Sequence, residues 1–310
     1  MSEVVRVLRK DIDEQKWNNC IDNAANGLPY AYTWYLDSVA ENWDGVIYND
    51  YEAVMPCPWY KKGLLQILYQ PHYCQQGGVF SVNKIIPQLY HDFLLTVKKK
   101  YTLRHLQLNP EAKPLAPIFR LYERTNLVLP LSTSFSELKK TFATNHTRNI
   151  NKAKKANLRF AEWNELKSFQ EFYAKNVNLE KEPLSPIHFT LFNTLTQKLT
   201  SIGRSTIYVA FDETETPMAA VLLIPHGKRL IALVNTSSSD GKKVGAAHFL
   251  YASLIEKFAE SEFLFDFEGS SAPSIARFYE GFGAINEPFF VWEPRMVTRL
   301  RQLFVKNTRP

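Results

Sequence analysis

The sequence predicts a mixed α/β protein made of two sheet-and-helix units, expected at 1–125 and 126–310. Apolar alternation and helical periodicity interleave along both halves, and a proline-rich piece over 109–117 reads as a connection. Each half also sets a strand ending in an acidic turn before an Ala-Val strand and a basic turn: Ile47-Tyr48 with Ala53-Val54, and Ile207-Tyr208 with Ala220-Val221. The spacings differ, so a structural repeat stays an open reading. A chain of 310 residues has room for two sizeable cores, and 45% hydrophobic with 14% aromatic residues is a globular composition.

In the first half the pattern predicts a strand over 4–8, helices over 13–24 and 30–41, and apolar strands at 45–48, 51–60 and 64–70. Asn49-Asp50 and Lys62-Gly63 supply the turns between them. A helix over 83–100 and a strand over 105–109 follow, and a strand over 125–131 leads into the second half. There the periodicity predicts helices over 136–143, 146–156, 163–178 and 186–202, then strands over 205–212, 218–225 and 229–235.

The three cysteines, Cys20, Cys57 and Cys74, are scattered without a C-x-x-C pair or clustered histidines, so neither a disulfide framework nor a metal site is expected. A reducing cytoplasm fits this usage. The opening MSEVVRVLRKDIDEQ lacks the apolar core of a signal peptide, and no apolar run approaches the roughly 18 residues that span a bilayer. A net charge of +6 favours an anionic partner without choosing among nucleotide, phosphorylated intermediate, RNA or membrane surface. Walker, G-x-G-x-x-G, H-E-x-x-H and G-x-S-x-G motifs are all missing from the chain.

Chemistry concentrates between Asn235 and Ala284. Lys242, Lys243 and Val244 precede Gly245-Ala246-Ala247 where a strand hands over to a helix. Small residues at a helix N-terminus let a pyrophosphate approach unpaired N–H groups; alternatively Asp240-Gly241 is a plain turn and the small residues permit close helix packing. In FLFDFEGS, period-two alternation sets Phe263, Phe265 and Phe267 opposite Leu264, Asp266 and Glu268. Two carboxylates in an apolar strand are costly to bury unless paired or used. Either they form an ion pair with a residue such as Arg277, or Glu268 or Asp266 accepts a proton from an attacking amine. Ser270 or Ser271 reads as the cap of the next helix, with Pro273 in its first turn. Tyr279 on that helix is a core residue or a proton donor to a leaving group.

A basic stretch, KKTFATNHTRNINKAKK, runs over 139–155. Asn145 reads as its N-cap and His146 as a surface residue of the first turn rather than a base. Arg148, Lys152 and Lys155 share one helix face, which is either solvated or a patch for a phosphorylated substrate or the acceptor end of tRNA. Tyr30, Tyr32, Trp34 and Tyr35 crowd one segment and are packing residues or the lining of a substrate cleft.

K-K-V-G-A-A before a long helix resembles the acyl-donor pyrophosphate turn of GCN5-related N-acetyltransferases, with Lys242, Gly245 and Ala247 at the matching positions and Lys in place of the usual Gln or Arg. A-R-F-Y-E-G-F-G-A resembles a later element of that fold, where a tyrosine-bearing helix ends in Gly-Phe. Together with L-P-L-S-T-S-F-S-E-L-K-K-T-F-A-T-N-H-T-R-N-I-N-K-A-K-K, G-A-A-H-F-L-Y and F-D-F-E-G-S, the pattern is similar to the FemABX-like branch, which resembles two acetyltransferase units in tandem.

The resemblance implies two such units, each a mixed, mostly antiparallel sheet flanked by helices, and transfer of an acyl group from acyl-CoA to the amine of a small molecule or peptide. Asn235 and residues 242–247 would hold the donor, Glu268, Asp266 and Tyr279 would do the chemistry, and Arg148, Lys152, Tyr32, Trp34 and Arg277 would face the substrate. FemABX members use aminoacyl-tRNA and often carry a helical arm, for which 163–202 is short. Aminoacyl transfer from tRNA is therefore the rival from the same fold, and a non-catalytic module binding an anionic metabolite the rival from another class.

Overall fold

The computed structural model describes residues 3–113, 120–177, 186–268 and 272–294. The chain clusters into two compact units, Met1–Arg124 with the segment from Pro288 onward, and Thr125–Glu287.

The first unit opens with β1 (Val4–Leu8), α1 (Glu14–Asn23), α2 (Thr33–Val39), β2 (Asn42–Tyr48), β3 (Ala53–Lys62), β4 (Leu65–Leu68) and β5 (Phe80–Ser81). It continues with α3 (Pro87–Lys100), β6 (Thr102–Leu103), β7 (Leu106–Leu108) and β8 (Leu121–Arg124). Asp13 caps α1 by accepting from the Lys16 N–H, and Trp17, Cys20 and Ile21 point inward at helical spacing. The helix expected over 30–41 is a 3₁₀ turn at Pro29–Ala31 followed by α2. The helix expected from 83 starts instead at Pro87, where proline's missing N–H costs nothing.

The second unit comprises β9 (Leu127–Pro130), α4 (Phe135–Lys140), α5 (Thr144–Lys155), β10 (Arg159–Glu162), α6 (Leu166–Asn176), α7 (Pro186–Ser201), β11 (Thr206–Phe211), β12 (Pro217–His226) and β13 (Arg229–Ser237). Then come α8 (Ser239–Val244), α9 (Ala246–Phe258), β14 (Leu264–Asp266), α10 (Pro273–Glu280) and β15 (Ile285–Asn286). Ser134 and Glu137 supply the S-x-x-E start of α4, the serine hydroxyl accepting from the Glu137 N–H. The next strand, β16 (Phe289–Trp292), belongs to the first unit, lying between β7 and β8 in a three-stranded sheet. The boundary expected from the sequence, between 125 and 126, places this stretch in the second half; its pairing with β7 and β8 places it in the first.

Both units share one topology. A strand and two helices lead into three antiparallel strands, and a helical crossover then brings in a parallel strand, giving sheet orders β1-β2-β3-β4-β6 and β10-β11-β12-β13-β14. In the second unit β9 and β15 extend the sheet beyond β14. Its core includes Leu129, Ile150, Val221, Leu254, Phe265 and Phe282.

Candidate active site

β13 and β14 form a fork. Their parallel pairing covers Arg229–Leu264, Leu230–Phe265 and Ile231–Asp266 and then stops, while β13 continues to Ser237. The cause is local: against β12, Leu222 pairs with Val234 and Leu223 with Ala232, so Leu233 is an extra residue on β13. A bulge of this kind bends and twists its strand, and it falls two residues past the last pair with β14. Ligands of open α/β sheets collect where the C-terminal ends of such strands part.

On the β14 side, Asp266 Oδ1 accepts the Glu268 N–H at 3.0 Å, an Asx turn that ends the strand and puts Glu268 in the left-handed region at φ 50°. A glutamate there is strained, and such residues gather at functional sites. Glu268 is only 8% exposed. Beside it, Tyr251 of α9 is fully buried, its ring packed on Phe267 and Tyr279 at centroid distances of 5.6 and 5.7 Å. Burial, then Tyr279 and the charge of Glu268, push the Tyr251 pKa well above that of an ordinary phenol. Tyr279, also buried, accepts a hydrogen bond of 3.2 Å from Asn235 Nδ2. The fork thus brings together Asn235, Glu268 and Tyr279, and adds Tyr251, which read in the sequence as one more apolar position of its helix.

Asp266 has a different environment. Its carboxylate is 2.7 Å from Arg229 Nη1 and accepts from Asn126 Nδ2 at 3.1 Å, and Arg229 also meets Glu287 at 2.8 Å. These are the contacts of a structural ion pair, one of the two readings open in the sequence. Its partner is Arg229 rather than Arg277, which is exposed and donates to the Pro273 carbonyl of its own helix. The expected cap at Ser270 or Ser271 lies outside the described residues.

The expected donor turn is largely helical. Ser238 caps α8 by accepting the Gly241 N–H at 2.9 Å, and Lys242, Lys243 and Val244 form its last turn, with Lys243 paired to Asp240 at 2.7 Å. Gly245 ends α8 at φ 80°, its N–H turned back to the Gly241 and Lys242 carbonyls. A Cβ on Gly245 would come within 2.7 Å of the Asn149 carbonyl oxygen, so the glycine lets α5 approach the α8–α9 junction. Ala246 is fully buried, and Ala247 is half-buried. Close packing therefore accounts for Gly245 and Ala246.

α5 starts at Thr144, with Ala143 rather than Asn145 as N-cap; the Asn145 side chain accepts from Arg148 at 2.7 Å instead. His146 is not on the surface. It is 5% exposed, donates Nε2–H to the Phe278 carbonyl at 2.7 Å, and meets His248 of α9 edge to face with centroids 4.7 Å apart. Its Nδ1 is buried without a hydrogen-bond partner. Burial, then the neighbouring His146, lower the His248 pKa to about 4, and burial lowers that of His146. The sequence did hold a signal: His146, Ile150 and Ala153 are spaced i, i+4, i+7 and form the inner stripe of the helix.

The opposite face of α5 is basic. Thr144, Thr147, Arg148, Asn151, Lys152 and Lys155 line an open surface hollow along it, which joins the three cations expected on one face. Over 138–161 there are seven Lys and Arg and no Asp or Glu, more than the whole net charge of +6. Tyr32 and Trp34 belong to the first unit, where Tyr32 is buried, bonds Asp22, and stacks on Trp34 at 5.2 Å. These are the contacts of packing residues. Among the described residues no group of three or more His, Cys, Asp or Glu could hold a metal, and no helix is long and apolar enough to cross a membrane.

No protein-family model matches the chain, and no curated protein does. Solved structures do. FemX is similar at a TM-score of 0.63 with 12% identity, over 90% of this chain and 96% of that one. L-PGS from Bacillus licheniformis is similar at 0.60 with 12% identity, over 95% and 96%. The C-terminal domain of a putative lysylphosphatidylglycerol synthetase from Agrobacterium fabrum is similar at 0.60 with 11% identity, over 94% and 95%. At this identity the likeness is one of fold, and it spans both units.

Proposed function

We propose that the chain is an acyltransferase built from two duplicated acetyltransferase-like units, and that its second unit makes an amide from an acyl donor and the amine of a small molecule or peptide. One observation carries the reading: a buried, strained carboxylate, Glu268, grouped with the Tyr251 and Tyr279 hydroxyls and with Asn235 where β13 and β14 part. The shared topology of the two units and the fold likeness to FemX and L-PGS support it.

In this reading the amine attacks the donor carbonyl, the C–N bond forms, and Glu268 takes the ammonium proton directly or through water. The tetrahedral intermediate then collapses with cleavage of the bond to the leaving sulfur or oxygen, which Tyr279 protonates. The Asn235 amide donates to the Tyr279 oxygen and so favours the phenolate formed as that proton leaves. Arg229 and Asp266 hold the strand end from which Glu268 departs.

Acyl-CoA is the donor that the acetyltransferase resemblance implies. The basic outer face of α5 favours a second donor, aminoacyl-tRNA, whose phosphates Arg148, Lys152 and Lys155 would take. The test is transfer to an amine panel by the purified full-length chain, with acyl-CoA and charged tRNA supplied separately. Glu268→Gln should lower turnover by about 10²-fold or more without loss of fold. Wild-type rates in that variant would remove Glu268 as the base, and no transfer from either donor would favour a binding module.

A further inference from the structure

The β3–β4 hairpin of the first unit lies outside the proposed chemistry. Lys62 pairs with Leu65, so Gly63 and Leu64 form a two-residue loop, with Gly63 at φ 60° in its first position as a II′ turn requires. The second loop position projects into water and is ordinarily polar. Here it is Leu64, wholly exposed at 100%, followed by Leu65 at 53%. Single exposed apolar residues are unremarkable; two adjacent leucines at a hairpin tip ask for a partner.

The surroundings indicate which. Lys61 and Lys62 precede the tip and are exposed. β6 runs parallel to β4 with Thr102 beside Ile67, so the exposed Lys98, Lys99 and Lys100 that end α3 arrive at the same end of the sheet. The carboxylates at that end include Glu41, next to the Asn42 that pairs with Trp59, Asp11 just past β1, and Asp37, which is held by Arg9 and the Trp43 indole. Behind the tip, Tyr60 and Tyr69 meet edge to face at 5.4 Å. An apolar wedge, a ring of lysines and aromatic rings set further back form the pattern of a membrane-interface anchor. Protein interfaces are poor in lysine and bury about 800 Å² per partner, more than such a tip offers, whereas a bilayer needs no complementary shape.

We propose that the β3–β4 hairpin docks the chain on an anionic lipid bilayer, with Leu64 and Leu65 entering the interfacial layer and the five lysines facing headgroup phosphates. The full-length chain should co-sediment with vesicles of equimolar phosphatidylcholine and phosphatidylglycerol and not with phosphatidylcholine alone. Leu64→Ser with Leu65→Ser should weaken that binding about tenfold or more, and Lys61→Glu with Lys62→Glu should remove the preference for anionic vesicles. Both pairs are exposed, so circular dichroism should be unchanged. Arg148→Glu with Lys152→Glu, in the other unit, should keep full binding. Absence of wild-type binding, full binding by the leucine variant, loss through the α5 variant alone, or Leu64-dependent self-association in sedimentation velocity would each overturn the proposal.

Discussion

Arg229 Nη1 lies 2.7 Å from Asp266 Oδ2, an ion pair that ties the first residue of β13 to the last of β14. The carboxylate is almost wholly buried, so removing it strands a half-buried guanidinium. Asp266→Ala should destabilise the chain by about 3 kcal/mol, the low end for a broken buried pair because Glu287 still meets Arg229. Urea denaturation beside Glu268→Gln measures this. Equal stability with selective loss of turnover would move Asp266 from support to chemistry.

Gly245 combines a positive φ of 80° with a site where a Cβ meets the Asn149 carbonyl oxygen at 2.7 Å. Gly245→Ala should therefore cost roughly 2 to 3 kcal/mol, summing backbone strain and the displacement of α5. A thermal melt at unchanged midpoint would show that α5 gives way freely there and would reopen the turn as a ligand site.

The His146–His248 contact makes stability depend on pH. Both rings are held neutral in the fold, His248 down to about 4 from an ordinary 6.5, so between those values the unfolded chain binds more protons. Stability should be fully present above pH 6.5 and fall as the pH drops toward 4. The loss from His248 should be about 2 kcal/mol, below the full linkage value because its ring is partly solvated. Urea midpoints at neutral and mildly acid pH check this, and in His248→Phe the pH dependence should shrink.

The α5 groove yields a salt test. If it tracks a polynucleotide donor, Arg148→Gln with Lys152→Gln should weaken binding of charged tRNA and lower the slope of log affinity against log salt by about 2, one for each cation lost. Binding of acyl-CoA, measured by calorimetry, is the comparison. An unchanged tRNA slope would leave the groove a solvated helix face.

Much of this architecture was legible in the residues. Period-two runs located β2, β3 and the three long strands of the second unit, and the spacing of Arg148, Lys152 and Lys155 put them on one face of α5, whereas His146, read as a surface residue, belongs to its buried stripe. The segment from Asn235 to Ala284 was marked by its chemistry, and three of its residues, Asn235, Glu268 and Tyr279, do gather at the fork. Local signals misled where two structures share one composition. S-S-S-D-G-K-K-V-G suits a loop or a capped six-residue helix, and Ser238 with its partner N–H at Gly241 resolves it as helix.

The order of the longer strands and helices and the concentration of charge over 138–161 follow from the chain's own periodicity and composition, because they need only neighbours within a turn or two; the short strand β10 and the six-residue α8 do not. The roles of the two carboxylates do not. Asp266 becomes structural through Arg229, 37 residues away, and Glu268 becomes a buried, strained group only where a bulge at Leu233 parts two parallel strands joined by a long crossover. His146 and His248 likewise meet across 102 residues, by the packing of α5 on α9. Such pairings depend on long-range register, and no local pattern of residues encodes that.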